Sequence, residues 1–384
     1  MLTRNINLKT FKIKFRKGSI RKNLNSLIND NNQIIKSLTK NYKNGFKKKD
    51  LRKYKKYSNF RIIGMGGSSL GTQAIYDFLK HKIKKNFYFL DNLQSYKKKK
   101  ENVNYLNLVV SKSGNTLETI LNVNIFVKNS QKNIFITENK ESYLNNLAKK
   151  LKSEIIHHNN FIGGRYSVLS EVGMLPAELM GLDTSKFKQF NNIIKNKKYL
   201  NHLVSNVEAI LHYIKLKKFN SIILNYDEKS RSFFNWYQQL VAESLGKHSK
   251  GILPIISNMP RDNHSVMQLY LDGFRNNFFT FFYVKESNSI KVNSNKILSS
   301  KNYLKNKNLD QIMLAKKNAT ENVFLKKNIP FRTFEIKKRD EKTLGELFTF
   351  FILETILIGR ALKMNPFDQP AVELIKKETK KILD

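Results

Sequence analysis

Phe60-Arg61-Ile62-Ile63-Gly64-Met65-Gly66-Gly67-Ser68-Ser69-Leu70-Gly71 is the stretch on which the fold turns. A short apolar run meets a glycine-rich turn, and a helical pattern then continues to about Leu79. The run is too short for a helix and reads as a buried strand. The same rhythm recurs downstream. Phe87 to Leu90 is a second strand and Val103 to Val110 a third, which ends in Ser111-Lys112-Ser113-Gly114-Asn115-Thr116 and a helix to about Val127. Asn133 to Thr137, a helix over 141–151 and Glu154 to His157 complete the unit. Strands that alternate with helices, and are apolar on both faces, specify a parallel sheet covered on both sides.

A second unit repeats the alternation. Strands are expected at Ser221 to Asn225, Ile252 to Ile256, Phe278 to Val284 and Phe331 to Ile336. Helices are expected at Lys229 to Leu245, His264 to Tyr270 and Leu309 to Phe324, and the helices Lys342 to Leu362 and Pro370 to Leu383 close the chain. The fold class is therefore α/β, with mainly parallel sheets in two three-layer subdomains over 58–185 and 186–340. C-terminal helices fill 341–384, and 1–57 is an N-terminal helical or irregular segment. In that segment Asn25 to Leu38 reads as a helix and Lys47 to Lys56 as a solvated basic stretch.

Composition narrows the function. The 384 residues are 40% hydrophobic, enough for a sizeable core. The absence of cysteine excludes a disulfide framework, a zinc–thiolate site, an iron–sulfur cluster and a cysteine nucleophile. Basic residues number 70 against 30 acidic, a formal charge of +40. Such a surplus raises nucleic acid as a partner. Yet 58 of these residues are Lys and only 12 are Arg, beside 47 Asn, and nucleic-acid readers rely on the bidentate Arg fork. A Lys-, Asn- and Ile-rich composition is also what an AT-biased genome imposes on its proteins. No basic motif interleaved with aromatics is found, so no nucleic-acid partner is expected. No apolar run reaches the roughly 18 residues of a membrane span, and no apolar segment of a secretory signal begins the sequence. No membrane partner and a cytoplasmic location are therefore expected.

Candidate sites follow from the fold. In open parallel sheets ligands bind beyond the carboxyl ends of the strands, where helix N-termini point. Gly64 to Gly71 offers backbone N–H groups unobstructed by side chains, and Ser111 to Thr116 adds three hydroxyls and a lysine. Together they suit a phosphate monoester, although a glycine-rich turn alone is often only a tight turn. Neither the dinucleotide fingerprint nor the Walker sequence is present. Phe233, Trp236, Leu240 and Glu243 share one helical stripe. A carboxylate there either needs partners, as a tuned general base does, or escapes to water beside Gly246. Arg165 stands in the loop Gly163-Gly164-Arg165-Tyr166-Ser167, His264 opens a helix, and Lys376 lies among other lysines on what composition makes a solvated face.

Taken together, these segments resemble the phosphoglucose isomerase family, built from two sugar-isomerase (SIS) domains. The resemblance rests on the two loops above, on Gly163 to Ser167, on Glu243-Ser244-Leu245-Gly246-Lys247, on Asn263-His264-Ser265 and on Phe367-Asp368-Gln369-Pro370-Ala371-Val372-Glu373-Leu374-Ile375-Lys376, all in family order from about residue 60. It implies that Gly67, Ser68, Ser111, Lys112, Ser113 and Thr116 hold a substrate phosphate. It implies that His264 and Lys376 open the sugar ring, Glu243 moves the proton between C2 and C1, Arg165 stabilises the enediolate and Gln369 lines the sugar. It further implies a homodimer whose His264 serves the neighbouring subunit, and no metal or cofactor.

The expected reaction is isomerisation of D-glucose 6-phosphate and D-fructose 6-phosphate through a cis-enediol. The alternatives are an enzyme that also accepts mannose 6-phosphate and a non-catalytic sugar-phosphate sensor. Three positions depart from the family pattern: Pro370, Ala371 and Glu171, the last where a small residue or Pro is usual.

Overall fold

The computed structural model describes residues 1–13, 19–93 and 103–384. Among these residues, ten strands form two five-stranded sheets. The first contains β2 (Asn59–Ile63), β3 (Asn86–Leu90), β4 (Leu106–Val110), β5 (Asn133–Thr137) and β6 (Glu154–His157), ordered β3-β2-β4-β5-β6 and parallel throughout. Every residue of β4 and β5 is buried, as strands covered on both faces require. The second sheet contains β1 (Ile6–Lys9), β7 (Asn220–Asn225), β8 (Leu253–Asn258), β9 (Asn277–Val284) and β10 (Phe331–Ile336), ordered β1-β10-β9-β7-β8. Its only antiparallel strand is β1, which registers Ile6 on Ile336 and Lys9 on Thr333.

The N-terminal segment departs most from expectation. Its first residues supply an edge strand, and the single helix expected over Asn25 to Leu38 is two, Ser19–Ile28 and Gln33–Ser37. The break falls at Asn29-Asp30-Asn31-Asn32, where the Asn32 side chain accepts from the Ile34 N–H and so starts a new helix. In the stretch 47–56, Leu51 and Tyr54 turn inward while most of their neighbours stay exposed. Between the strands of the first sheet and those of the second, apart from β1, run the helices Glu171–Leu179, Phe190–Ile193 and Lys197–Lys215. The last carries a legible apolar stripe at Tyr199, Leu200, Leu203, Val204, Val207 and Ile210 that the strand–helix alternation had passed over.

One helix joins the units. Glu341–Ala361 is buried from Thr343 through Gly359 and packs against the helices Ser19–Ile28, Lys197–Lys215 and Arg231–Leu245. Arg231–Leu245 packs in turn on Leu70–Leu79 of the first unit. Trp236 and Phe348 meet edge to face with ring centroids 4.7 Å apart at this junction. No helix among the described residues is long and apolar enough to cross a membrane.

Candidate active site

In the first sheet the strand order reverses between β2 and β4, so the crevice at their carboxyl ends is the switch point. Both loops singled out in the sequence leave from it. After β2 the chain turns through Gly66–Ser68 into the helix Leu70–Leu79. A Cβ on Gly67 would lie 2.2 Å from the Gly164 carbonyl carbon, so only glycine lets this turn back onto the Gly-Gly-Arg loop. After β4, the Ser111 and Thr116 hydroxyls lie 3.0 Å apart and the Ser113 hydroxyl accepts from the Asn115 N–H. Thr116 stands at the N-cap position of the helix Leu117–Phe126 without a side-chain hydrogen bond to it, so the first N–H groups of the helix open onto the same crevice. Lys112 is a third exposed and lies 3.4 Å from Glu138. Glu138 is a partner that the sequence did not reveal.

The matching crevice in the second sheet, between β7 and β9, opens onto a cavity of about 740 Å³ that an internal ion pair helps to line. Asp227, just after β7, is clamped by Arg339 at 2.7 Å and takes a hydrogen bond from the Ser230 hydroxyl. A carboxylate stands there where an anion would otherwise bind, so the anion-ready switch point is the one in the first sheet.

Arg165 organises the rest of the site. It lies in the turn Gly164–Leu169, its side chain is 1% exposed, and all five of its N–H donors are engaged. Nε donates to the Ser244 hydroxyl at 2.8 Å. Nη1 donates to Glu243 Oε2 at 3.1 Å and to Gln369 Oε1 at 2.5 Å. Nη2 donates to the Pro366 and Asp368 carbonyls at 2.7 and 3.0 Å. The Tyr166 hydroxyl donates to the Pro366 carbonyl, and Ser244, which accepts from Arg165, is left to donate to Tyr166. Burial pushes the Tyr166 phenol up and the Arg165 charge works against it. The Trp236 indole fixes the Arg165 carbonyl from the facing helix.

Glu243 thus has partners, but it is not sealed in. Its side chain is 30% exposed and lines a cavity of about 630 Å³ with Ala242, Gly246, Lys247 and Gln369. Gln239, one helical turn back, donates to Glu243 Oε1 at 2.8 Å, while its own Oε1 is buried without a hydrogen-bond partner. Gln239 was missed, although its i, i+4 relation to Glu243 was readable. Lys247 pairs with Asp368 at 2.7 Å, and that hydrogen bond holds the Asp368 carboxyl below its usual range.

The structure therefore brings Arg165, Glu243 and Gln369 into direct contact and sets Gly67 against their loop. Two expected residues stand apart. His264 is exposed on the turn Arg261–His264, and the helix expected from it begins only at Met267. Lys376 is 67% exposed on the helix Val372–Leu383, which has no buried residue, and pairs with Glu373 at 2.6 Å. Among the described residues, no three His, Asp or Glu side chains gather as a metal site.

Paired α/β units with hydroxyl- and glycine-lined turns at a switch point are the architecture of the sugar-isomerase class, and comparison with known proteins narrows it. The chain belongs to the phosphoglucose isomerase family, whose model matches residues 19–384 and so reaches well upstream of the motifs that begin near residue 60. A glucose-6-phosphate isomerase of Methanocaldococcus jannaschii is 33% identical over 355 residues, covering 85% of this chain and 86% of its own length. Among solved structures, a hypothetical protein of Thermus thermophilus shares the fold at a TM-score of 0.81 and 22% identity, over 95% of this chain and 94% of that one. A glucose-6-phosphate isomerase of Chlamydia trachomatis does so at 0.70 and 19%, over 94% and 77%.

Proposed function

We propose that the protein interconverts D-glucose 6-phosphate and D-fructose 6-phosphate, an aldose–ketose isomerisation through a cis-enediol. The observation that carries the chemistry is the partly exposed Glu243 carboxylate held against the fully engaged Arg165 on a cavity wall. A proton on carbon next to a carbonyl is too weakly acidic for water to remove quickly. A positioned carboxylate that takes it contributes about 10²–10⁴-fold. A fixed cation at the developing oxyanion contributes about 10²–10³-fold. Arg165 would reach that oxyanion by exchanging its bond to Gln369 or Glu243 for the substrate oxygen. Gln239 donates to Glu243 Oε1 and so orients the carboxylate.

The phosphate falls to Gly67, Ser68, Ser111, Lys112, Ser113 and Thr116. Their hydroxyl and N–H donors are distant from the reacting carbons, so the binding energy they supply can orient the sugar. His264 and Lys376 open the ring. His264, exposed and not among the residues that line the cavity of its own Glu243, fits a homodimer in which each copy serves the other's cavity. The reaction is placed in the cytoplasm, where membrane-impermeant sugar phosphates are held. Residues 58–185 and 186–340 are taken as the two domains, with β1 added to the second.

The test is a coupled assay on fructose 6-phosphate with Glu243→Gln in parallel. Wild-type turnover and a loss of about 10²-fold or more in Glu243→Gln are expected. No wild-type turnover overturns the reaction, and near-full activity in the variant overturns the base.

A further inference from the structure

Outside the site already described lies a buried cluster of titratable groups formed by His158, Glu171, Tyr42 and Lys188. His158 and Glu171 stand at the two ends of the loop that carries Arg165. His158 follows β6, and Glu171 starts the helix Glu171–Leu179 immediately after the turn Gly164–Leu169. Both side chains are 1% exposed, and His158 Nδ1 lies 2.7 Å from Glu171 Oε1. The same carboxylate oxygen accepts the Asn159 N–H at 2.7 Å, and its other oxygen accepts the Tyr42 hydroxyl at 3.0 Å. One side chain at the exit of the loop thus binds two consecutive residues at its entrance.

The hydrogen positions follow from the partners. His158 Nε2 faces the Ile162 carbonyl at 3.0 Å while Nδ1 faces the carboxylate. The carboxylate can only accept, so Nδ1 is the ring nitrogen that donates to it. Burial pushes the Glu171 carboxyl up. The His158 hydrogen bond and charge and the Asn159 N–H outweigh burial and hold it below the ordinary carboxylate value. Lys188 donates to the Ser37 and Leu169 carbonyls and lies 5.0 Å from the Tyr42 ring, which ties the N-terminal segment to the end of the same loop.

We infer that Glu171 and His158 are positioning residues, a buried carboxylate–histidine staple that fixes the loop presenting Gly164 and Arg165 to the site. This rests on the proposed isomerase reading for its kinetic consequence but not for its chemistry. The staple works on Arg165 through backbone: it closes residues 158–171 into a loop, and Arg165 sits near the middle. Removing one partner leaves the other polar group buried and unpaired, which favours rearrangement of the loop over tolerance of the gap. A shift of about 1 Å in a positioned group costs on the order of 10²-fold in rate.

Two measurements test it. Histidine-selective ¹⁵N NMR of the wild-type protein is expected to show, for His158, a protonated Nδ1 in a hydrogen bond to a carboxylate. An unprotonated Nδ1 overturns the staple. In the coupled assay, Glu171→Gln and His158→Gln are each expected to lower kcat per folded molecule by about tenfold to a hundredfold, with KM within about twofold. The double variant should lose less than the product of the two singles, because the two residues act as one unit. Unchanged kcat in folded single variants, or losses that simply multiply, overturns positioning. Should such a variant fail to fold, Tyr42→Phe deletes the third hydrogen bond to Glu171 and the hydroxyl's contact with the Asn159 side chain. It is expected to lower kcat several-fold with KM unchanged, and an unchanged kcat counts against the proposal. Absence of wild-type turnover would sink the isomerase reading, while the nitrogen spectrum decides the pair either way.

Discussion

Arg165 shows how much a single side chain is asked to do. Its five donors meet a serine hydroxyl, a carboxylate, an amide oxygen and two backbone carbonyls drawn from separate parts of the chain. Lysine keeps the charge but offers three donors on a flexible stem and no planar fork. Arg165→Lys is therefore expected to lower kcat by about 10²-fold with the fold retained, as a coupled assay beside a circular dichroism spectrum would record. Glu171 makes the complementary point. Its place in the sequence marks it as a departure from the family pattern without a reason. The reason is His158, 13 residues earlier and within a hydrogen bond.

Elements rather than residues bring the two units together. The helix Glu341–Ala361 carries Glu354, which forms a doubly hydrogen-bonded pair with Arg332 of β10. Arg332 is fully buried, and its Nε also donates to Thr280 of β9 at 3.0 Å. The pair pins the central helix to the second sheet. Glu354→Ala would strand a buried guanidinium and is expected to destabilise the protein by about 3–5 kcal/mol in urea unfolding. Replacing both partners with apolar residues of similar volume should recover most of that loss, since the cost lies in the unpaired charge. A double variant no better than Glu354→Ala would show that packing, not charge, is what the position supplies.

Across the whole molecule, buried titratable groups set how stability varies with pH. Burial pulls the Lys188 ammonium down to about 7, with Glu171 working in the opposite direction. The unfolded lysine, with its ordinary value of 10.5, binds a proton in the window between these values that the folded one does not. Stability should therefore rise with pH from about 7 to 10.5, and Lys188→Met should flatten that limb of a Tm-against-pH curve. Glu335 behaves in the opposite sense. Burial raises it, but Lys317 outweighs burial and, with Asn7 and Lys9, holds it at about 2. The stability it supplies is present above its ordinary value of 4.5 and is lost as pH falls toward 2. A Tm that stays flat through both windows would contradict these assignments. Most of the lysines behind the +40 charge lie on the surface, and Lys247 is one that lines the Glu243 cavity.

Consecutive residues were enough to read the two mainly parallel sheets and the two loops at the switch point, and the family motifs grouped Arg165, Glu243 and Gln369, which the fold brings into contact. Strand periodicity and glycine turns are local, so they can be read without the fold. The edge strand Ile6–Lys9 was not legible, because four residues have a partner only once β10 lies beside them. Gln239 was legible in principle, since helical spacing alone puts it over Glu243. Glu138 beside Lys112, Glu354 against Arg332 and the His158–Glu171 staple exist only in the packed molecule. A charged side chain is buried or solvated according to what the rest of the chain packs around it, and nothing in its immediate neighbours says which.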